Sequence, residues 1–347
     1  MAAIDVKDSN ILQSTRTKPV YANGVYNNPW TTWVEPSFCK VLYRMLVKEK
    51  DHSKIPSEKQ ELDKHLPVQK PDFDQLMNPP KSGVQATWIG HASVLVQLDG
   101  ITVITDPIFS ERCSMFQWIG PKRYRPPPFK IDELPVLDAV VISHNHYDHL
   151  DHGSVVSLNK KFGDELWWYV PMGTRRWMLD CGCKNVVELS WWEEHRHSPD
   201  QNITFCLTPS QHWCKRTATD TNKALWGSWV IKGPNHRFFF AGDTGYCEAF
   251  KQIGEEYGPF DLSAIPIGAY APRYVMKSQH VDPEEAVLIH QDVKSSNSLG
   301  IHWGTFKLTY EFYLEPKTKL AEELKKSDLS DDCFVTLNHG ETRIFRK

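Results

Sequence analysis

The chain has 347 residues, of which 40% are hydrophobic and 13 are tryptophan, a composition typical of a folded globular protein. Its formal net charge of −3 lacks the strongly basic balance of a general nucleic-acid binder, so we expect no nucleic-acid partner. The sequence contains no run of about 18 apolar residues that would form a transmembrane helix, and its first residues show no apolar segment of a secretory signal. We therefore expect an intracellular protein, peripheral on the cytosolic face of membranes, with its eight cysteines reduced.

Residues 1–80 are polar and punctuated by proline, which predicts an N-terminal extension that docks on a membrane or on the main domain, residues 81–347. Within the extension, residues 39–50 place apolar side chains at helical spacing with lysine and arginine between them. Such a helix can lie on a membrane surface. It can equally pack on the main domain with its lysines in solvent, and the sequence leaves both interpretations open.

From residue 84 onward the sequence consists of short apolar runs separated by Gly, Pro and Asp, which predicts β-strands. The predicted strands span residues 86–89, 93–98, 101–105, 138–142, 203–207, 229–231, 237–241, 262–265 and 299–301. The second and third flank Asp99-Gly100, a favoured hairpin turn. Helices are predicted at 282–290, with Asp282 as N-cap and Pro283 in the first helical position, and at 318–326. Polar residues gathered at the ends of strands that alternate with helices indicate a layered α/β sandwich.

The most informative segment is residues 143–149, Ser-His-Asn-His-Tyr-Asp-His, which directly follows an apolar run. It contains four side chains of metal-binding type, namely His144, His146, Asp148 and His149. In an extended chain His144 and His146 lie on the same side, because strand side chains alternate with a period of two. Asp148 and His149 can turn toward a second cation once the chain leaves the strand. The alternative interpretation is a polar surface loop that binds metal adventitiously.

Three further candidates follow later apolar runs, at His212, Asp243 and His302. Gly242 and Gly245 allow the backbone to bend tightly around Asp243. Each of the three alone is weak, because a strand-terminal Asp or His is more often a capping residue than a ligand. Together with the first segment they predict a two-metal site, which needs about three protein ligands per ion.

With these residues the chain resembles the metallo-β-lactamase superfamily, which implies a four-layered αββα sandwich. The resemblance assigns His144, His146 and His212 to one zinc ion. It assigns Asp148, His149 and His302 to a second, with Asp243 bridging the two, so that the expected cofactor is two Zn²⁺ per chain. It also covers residues 88–93 and 105–107, which commonly precede the first metal loop in that superfamily. Imidazole-rich ligands favour zinc.

Residues 84–345 show a closer resemblance to the N-acylphosphatidylethanolamine-hydrolysing phospholipase D family. The strings that carry it lie at 105–110, 120–123, 143–151, 211–217, 225–229, 240–247, 259–262, 265–270, 279–286 and 301–306. This resemblance implies hydrolysis of N-acylphosphatidylethanolamine to an N-acylethanolamine and phosphatidic acid by a metal-bridging hydroxide. It further implies a phospholipid partner at a membrane surface, accommodation of bile acids, and a homodimer.

The same resemblance suggests roles for individual residues. Asp243 and His280 are expected to be catalytic, and the expected substrate-binding residues are Tyr147, His280, Gln279, Gln117, Trp118 and Lys215. The loop of Gln117 and Trp118 is expected to reach the partner subunit, although Trp118 stands where the family has tyrosine. For Tyr147 the alternative is packing, for His280 it is capping of the following helix, and for Lys215 and Arg216 it is a solvated charge pair.

Two alternative functions remain at this point. One is another hydrolase of the same scaffold, such as a nuclease or a lactonase, and the other is a non-catalytic lipid-binding protein that holds zinc structurally. The aromatic stretches 167–169 and 191–192 are expected to lie mostly in the core or a groove. His195 and His197 repeat the His-x-His spacing, but their surroundings are highly polar and no apolar strand leads into them. We therefore expect His195 and His197 on the surface.

Overall fold

A computed structural model of the chain describes residues 16–35, 51–198 and 202–346. The strands are β1 (Val20–Ala22), β2 (Val25–Asn27), β3 (Val84–Gly90), β4 (Ser93–Leu98), β5 (Ile101–Thr105), β6 (Ala139–Val141), β7 (Trp167–Pro171), β8 (Asn185–Leu189), β9 (Glu194–Ser198), β10 (Ile203–Thr208), β11 (Ser228–Lys232), β12 (Arg237–Phe240), β13 (Leu262–Pro266), β14 (Ser298–Ile301), β15 (Phe334–Val335) and β16 (Thr342–Phe345). The helices are α1 (Lys59–His65), α2 (Phe73–Met77), α3 (His152–Phe162), α4 (Arg175–Asp180), α5 (Ala249–Glu256), α6 (Arg273–Met276), α7 (Pro283–Asp292) and α8 (Glu315–Lys326). Short 3-10 turns span Ile131–Glu133 and Gly163–Glu165. The helix predicted at 39–50 lies outside the described residues.

Most of the described strands form two mixed sheets. One has the order β16-β3-β4-β5-β6-β7-β8, the other has the order β15-β14-β13-β12-β11-β10-β9, and each contains seven strands. Neighbours from β5 to β8 run parallel, as do those from β12 to β15, while the remaining pairs of both sheets are antiparallel. The strands β1 and β2 form a separate hairpin.

Alternate residues of β6 face opposite sides of the first sheet. Ala139 and Val141 belong to the large core that also contains residues of the second sheet, whereas Val140 packs in the core that contains Val155 and Leu158 of α3. A strand that is covered on both faces must be apolar throughout, which is why these segments are continuous hydrophobic runs in the sequence. The helix α7 packs on β13 of the other sheet. The layers therefore follow the order αββα, as predicted.

The predicted strands and hairpin are confirmed. The turn between β4 and β5 has positive φ angles at both Asp99 (47°) and Gly100 (85°), the conformation expected of a two-residue hairpin turn. The side chain of Asp282 accepts a hydrogen bond from the Glu285 amide at 3.1 Å, which confirms it as the N-cap of α7. The aromatic stretch at 167–169 forms part of β7, and Trp168 and Tyr169 are fully buried, as is most of Trp191.

His195 and His197 are less exposed than the expected surface position implies, because both side chains are half-buried. They lie on β9, which pairs with β10 at the edge of its sheet and so forms a strand despite its polar sequence. Both imidazoles turn toward the hydroxyl of Tyr169, which lies 3.2 Å from His195 Nδ1 and 2.9 Å from His197 Nδ1. Tertiary pairing has here overridden local composition.

The described part of the first 80 residues packs against the rest of the chain. Trp30 is buried in the large core together with Leu62 and Leu66 of the α1 region. The amide of Asn28 donates a hydrogen bond of 2.8 Å to the carbonyl of His212, so this segment supports a loop that carries a predicted metal ligand. Among the described helices, none combines the length and apolar character that crossing a bilayer requires.

Candidate metal centre and cleft

The ends of four strands bring the predicted metal ligands to one edge of the sandwich. The loop after β6 carries four of them, His212 follows β10, Asp243 follows β12 and His302 follows β14. Several of these strands run parallel within their sheets, so their carboxyl ends meet at a shared edge. Gly242 has a φ of 62°, and a Cβ atom there would lie 2.5 Å from Ser143 Cβ, so only glycine allows this close approach.

A first group consists of His144, His146 and His212. Their nitrogens converge, with His144 Nε2 at 2.8 Å and His212 Nε2 at 3.3 Å from His146 Nδ1. All three ligand atoms lie within 4.8 Å of one another, a spacing that a single cation can bridge. The structure thus brings together the three histidines that the superfamily resemblance assigned to one ion.

A second group consists of Asp148, His149 and His302. Asp148 Oδ2 lies 3.3 Å from His149 Nε2 and 3.5 Å from His302 Nε2. A fourth residue, His91, joins this group because its Nε2 lies 3.0 Å from the same carboxylate oxygen. His91 lies within residues 88–93, which the superfamily resemblance covers, but the sequence indicated no role for this histidine.

Asp243 lies between the two groups. Its Oδ1 is 3.0 Å from His302 Nε2, and its Oδ2 is 3.1 Å from His149 Nε2. The same Oδ2 is 3.9 Å from His144 Nε2 and 3.8 Å from His212 Nε2. One carboxylate therefore faces both sets of imidazoles, which is the placement that a bridging ligand requires.

The far nitrogens of three of these imidazoles have partners that fix the rings. Ser143 Oγ lies 2.9 Å from His144 Nδ1, the carbonyl of Gln279 accepts from His212 Nδ1 at 3.0 Å, and Asp106 Oδ2 lies 2.6 Å from His149 Nδ1. Such contacts orient metal-binding histidines and raise their basicity. Asp106 is fully buried at the end of β5, and the sequence assigned it no role of its own. Its position directly after the β-branched run Ile101–Thr105, which forms a fully buried strand, was the available signal.

Electrostatics keep the first group in the form that binds cations. Burial lowers the pKa of His146 to about 4, and it holds the pKa values of His144 and His212 well below the ordinary 6.5. These imidazoles are therefore neutral near pH 7, and each keeps a lone pair for a metal.

In the second group, the carboxylates of Asp148 and the neighbouring Asp243 determine the direction of the histidine pKa shifts. Burial alone would lower the pKa of His302, but the charges of Asp243 and Asp148 outweigh burial and raise it to about 9. Burial likewise opposes a raised pKa at His149, where the same two carboxylates raise it well above 6.5. The two acidic groups thus attract positive charge into a buried site, and a divalent cation supplies that charge directly.

Several atoms that face this space lack ordinary partners. His149 Nε2, His302 Nε2 and Asp243 Oδ1 are buried and form no hydrogen bond of acceptable geometry with any described residue. Unsatisfied buried polar atoms are costly and uncommon in folded proteins. The two clusters of His and Asp donors, with these orphaned atoms between them, fit divalent metal ions of the zinc type.

A cleft of about 700 Å³ opens onto the two groups. It is lined by the predicted residues Tyr147, Lys215, Gln279 and His280. Its apolar lining includes Met115, Trp213, Met276 and Leu308. The cleft therefore combines candidate metal ligands at its base with apolar side walls that can contact a hydrocarbon chain.

His280 and Gln279 lie deep in this cleft. His280 Nδ1 is 3.8 Å from Asp243 Oδ2, while the N-terminus of α7 is capped by Asp282, so His280 is not the capping residue. Burial lowers the pKa of His280 to about 4. The Gln279 side chain accepts a hydrogen bond of 2.7 Å from Trp213 Nε1.

Gln117 and Trp118 do not line this cleft. The amide of Gln117 is used within its own loop, where it accepts from the Arg112 amide and donates to the Arg112 carbonyl, both at 3.0 Å. Trp118 is 74% exposed and stacks on Phe116. Met115 of the same loop reaches the cleft, so the loop adjoins the site from outside.

Arg216 has a role that the sequence did not reveal. Its Nη1 donates to the carbonyls of Asn145 at 2.9 Å and Leu150 at 2.7 Å. These two carbonyls lie on either side of the segment 146–149, which carries three of the predicted ligands. Its guanidinium lies 4.2 Å from the ring centroid of Tyr147 and 4.8 Å from that of Trp177. Arg216 is therefore not part of a solvated charge pair but fastens the metal loop to the loop after His212.

Comparison with known proteins is consistent with this geometry. Residues 102–303 match the family model described as "Beta-lactamase superfamily domain". The chain is 44% identical over 335 residues to N-acyl-phosphatidylethanolamine-hydrolyzing phospholipase D 1 of Caenorhabditis elegans, covering 93% of each chain. It is 33% identical to N-acyl-phosphatidylethanolamine-hydrolyzing phospholipase D, mitochondrial, of Saccharomyces cerevisiae, covering 94% of this chain and 77% of the yeast protein.

Solved structures share the architecture at lower identity. Igni18, a metallo hydrolase from Ignicoccus hospitalis, superposes with a TM-score of 0.57 at 19% identity, covering 77% of this chain and all of its own. An isothiocyanate hydrolase from Delia radicum gut bacteria gives a TM-score of 0.58 at 18% identity, covering 75% of this chain and 98% of its own. These two likenesses concern the fold alone.

Proposed function

Because this chain belongs to the N-acylphosphatidylethanolamine-hydrolysing phospholipase D family of the β-lactamase superfamily, we propose that it is a zinc-dependent phosphodiesterase that hydrolyses N-acylphosphatidylethanolamine. The products are an N-acylethanolamine and phosphatidic acid. The observation that carries the proposal is the placement of Asp243 between two groups of converging ligand atoms at the floor of the cleft. The two relatives from Caenorhabditis elegans and Saccharomyces cerevisiae are named for this activity. Membership of their family makes the chain a metal-dependent hydrolase.

Two zinc ions are the proposed cofactor. His144, His146 and His212 would hold one ion, Asp148, His149 and His302 would hold the other, and Asp243 would face both. Bound there, the ions would lower the pKa of a water molecule so that it attacks phosphorus at neutral pH, and would offset the charge that builds up on the phosphate oxygens.

The residues of the cleft bind and orient the substrate. Lys215 lines the cleft and places a positive charge where it can accept the phosphodiester. The walls that include Met276 and Leu308 cover the hydrocarbon next to the headgroup and exclude water from it. Tyr147 presents its ring to the cleft while its hydroxyl donates to the Arg216 carbonyl at 2.8 Å, so the ring is held in place for the substrate.

His280 is proposed to act on the leaving group. Burial keeps its imidazole neutral, with a pKa of about 4, so it donates an N–H hydrogen bond to the departing oxygen rather than a full proton. In the reaction one P–O bond forms to the oxygen of water, and the P–O bond to the N-acylethanolamine breaks. The water loses one proton and the departing alkoxide gains one through solvent in the cleft, so atoms and charge balance.

The test is hydrolysis in water enriched with ¹⁸O, followed by mass spectrometry of both products. The proposal predicts one heavy oxygen in phosphatidic acid and none in the N-acylethanolamine. Label in the N-acylethanolamine would mean attack at carbon and would overturn the proposed chemistry. RNA and an acyl lactone serve as further substrates, and turnover of either one without turnover of the lipid would favour another hydrolase of this scaffold.

We also propose that the substrate is taken from a membrane surface and that two copies of the chain associate. Trp118 exposes its aromatic ring in the loop whose Met115 lines the cleft, and this exposure supports the proposal that the ring contacts the partner subunit. Light scattering of the wild type and of Trp118→Ser tests this. The wild type is expected to be a dimer with a lower dissociation constant than the variant, and a monomeric wild type would refute it. Binding of a bile acid near Lys215 stays a prediction, which equilibrium dialysis can check.

A further inference from the structure

His91 is a fully buried histidine that does not belong to the set of proposed zinc ligands. It lies in the turn between β3 and β4, with a φ of 54° that non-glycine residues rarely adopt. A strained backbone of this kind persists only where surrounding contacts hold it, and such positions cluster at functional sites.

The backbone of His91 is held by three hydrogen bonds. Its amide donates to Thr305 Oγ1 at 2.7 Å, and its carbonyl accepts from Trp88 Nε1 at 3.0 Å and from the amide of His302 at 3.0 Å. The last of these connects His91 directly to a residue of the second ligand group. The ring centroids of His91 and His302 are 4.1 Å apart.

The side chain of His91 contacts another member of the same group. Its Nε2 lies 3.0 Å from Asp148 Oδ2, the oxygen that also faces His149 and His302. A carboxylate that is to bind a cation is ionised and can only accept hydrogen bonds, so the nitrogen that faces it carries the hydrogen. A nitrogen that carries a hydrogen has no lone pair left for a metal.

The geometry points to His91 as a positioning residue for the second metal, which donates its Nε2–H to Asp148 and so fixes the carboxylate that binds the ion. This inference rests on the proposed two-metal function. His91 acts through Asp148 by its side chain and through His302 by its carbonyl, and thereby orients two of the three proposed ligands of one ion. The first group, with His144, His146 and His212, receives no such contact from His91 among the described residues.

The experiment is a zinc titration of the metal-free, full-length protein against a chromophoric chelator. In His91→Leu one of the two equivalents is expected to bind about 10- to 100-fold more weakly, the usual effect of losing a group that orients a ligand, while the other equivalent changes by less than about threefold. His91→Gln, whose amide can donate from a similar position, is expected to restore most of that affinity.

His339→Leu is the matched control. His339 is also fully buried, packs 4.2 Å from the Trp88 ring and contacts Thr305 Oγ1 at 3.1 Å, but it contacts no proposed ligand among the described residues. It removes a buried imidazole from the same layer and is expected to leave both zinc equivalents unchanged. An effect of equal size in His339→Leu would make the loss in His91→Leu a general packing effect and would overturn the inference.

A second measurement needs no variant and so does not depend on whether a substitution folds. In the zinc-loaded wild type, ¹⁵N spectra of the imidazoles are expected to show His91 protonated at Nε2 and unprotonated at Nδ1. The opposite tautomer, or a zinc-bound Nε2, would overturn the inference while leaving the two-metal proposal intact. A wild type that binds fewer than two equivalents would instead refute the proposed function itself.

Discussion

Replacing Arg216 by methionine tests whether residues 143–149 depend on the Arg216 clamp, the pair of hydrogen bonds from its guanidinium to the carbonyls of Asn145 and Leu150. The substitution removes two charge-assisted hydrogen bonds, to the carbonyls of Asn145 and Leu150, each worth about 1.5–3 kcal/mol. It also removes contacts of the cation with the rings of Tyr147 and Trp177, worth about 0.5–2 kcal/mol each. Methionine carries no charge, so the variant does not bear the desolvation cost of a buried guanidinium. This offsets the loss by several kcal/mol, the usual cost of burying an ion. The expected net loss is about 2–4 kcal/mol of the free energy of unfolding.

The same change is expected to affect catalysis. Asn145 and Leu150 lie at either end of the segment that carries His146, Asp148 and His149, so loss of the clamp lets these ligands shift. A displacement of about 1 Å in a catalytic site can cost about 10²-fold in rate, and kcat for lipid hydrolysis is expected to fall by that amount. Arg216→Lys keeps the charge but not the planar fork, and is expected to recover only part of both losses.

Urea denaturation and steady-state hydrolysis of N-acylphosphatidylethanolamine measure the two effects. Lys215→Met is the control for the free energy of unfolding. It removes the neighbouring positive charge, and Lys215 makes no hydrogen bond to another described residue comparable to the two that Arg216 donates. If Arg216→Met unfolds within about 0.5 kcal/mol of the wild type and keeps its full kcat, the clamp has no energetic role and the reasoning is refuted.

Asp243→Asn removes the charge that faces both ligand groups, so hydrolysis is expected to fall by about 10³-fold or more, and His146→Ala should do the same; full activity of either would contradict the assignment. Gly242→Ala is expected to lose about 2 kcal/mol or more in urea denaturation, because its Cβ would lie 2.5 Å from Ser143 Cβ at a φ of 62°. Burial lowers the pKa of His290 to about 4 from its ordinary 6.5. Between pH 6.5 and pH 4 the unfolded chain therefore binds a proton at His290 that the native state does not bind. The free energy of unfolding should therefore fall by up to about 3 kcal/mol as the pH drops from 6.5 to 4, and His290→Gln should flatten this slope; an unchanged slope would refute it.

The strand ends that form the site could be predicted because their chemistry is concentrated locally. The segment 143–149 contains four candidate ligands directly after an apolar run, and His212, Asp243 and His302 each follow another such run. Their positions at strand ends placed them in one site, and the superfamily resemblance divided them between two ions. The structure explains why they meet, because parallel strands bring their carboxyl ends to one edge.

Other features depend on contacts that the sequence does not encode locally. Lys215 and Arg216 are adjacent charges, yet only the meeting of separate loops turns the Arg216 guanidinium inward onto two carbonyls. The polar segment of His195 becomes a strand because β10 offers it an edge. By contrast, the hairpin of β1 and β2 contains Asn23-Gly24, a turn signal that was present in the sequence and was missed because its flanking strands are only three residues long.

The most direct test of the two-metal phosphodiesterase is activity as a function of zinc. Metal-free protein is titrated with Zn²⁺ while phosphatidic acid and N-acylethanolamine are quantified from N-acylphosphatidylethanolamine. Hydrolysis is expected to be negligible without metal and to reach its plateau at two equivalents per chain. Full hydrolysis by the metal-free protein, or a loaded protein that converts none of this lipid, would contradict the account.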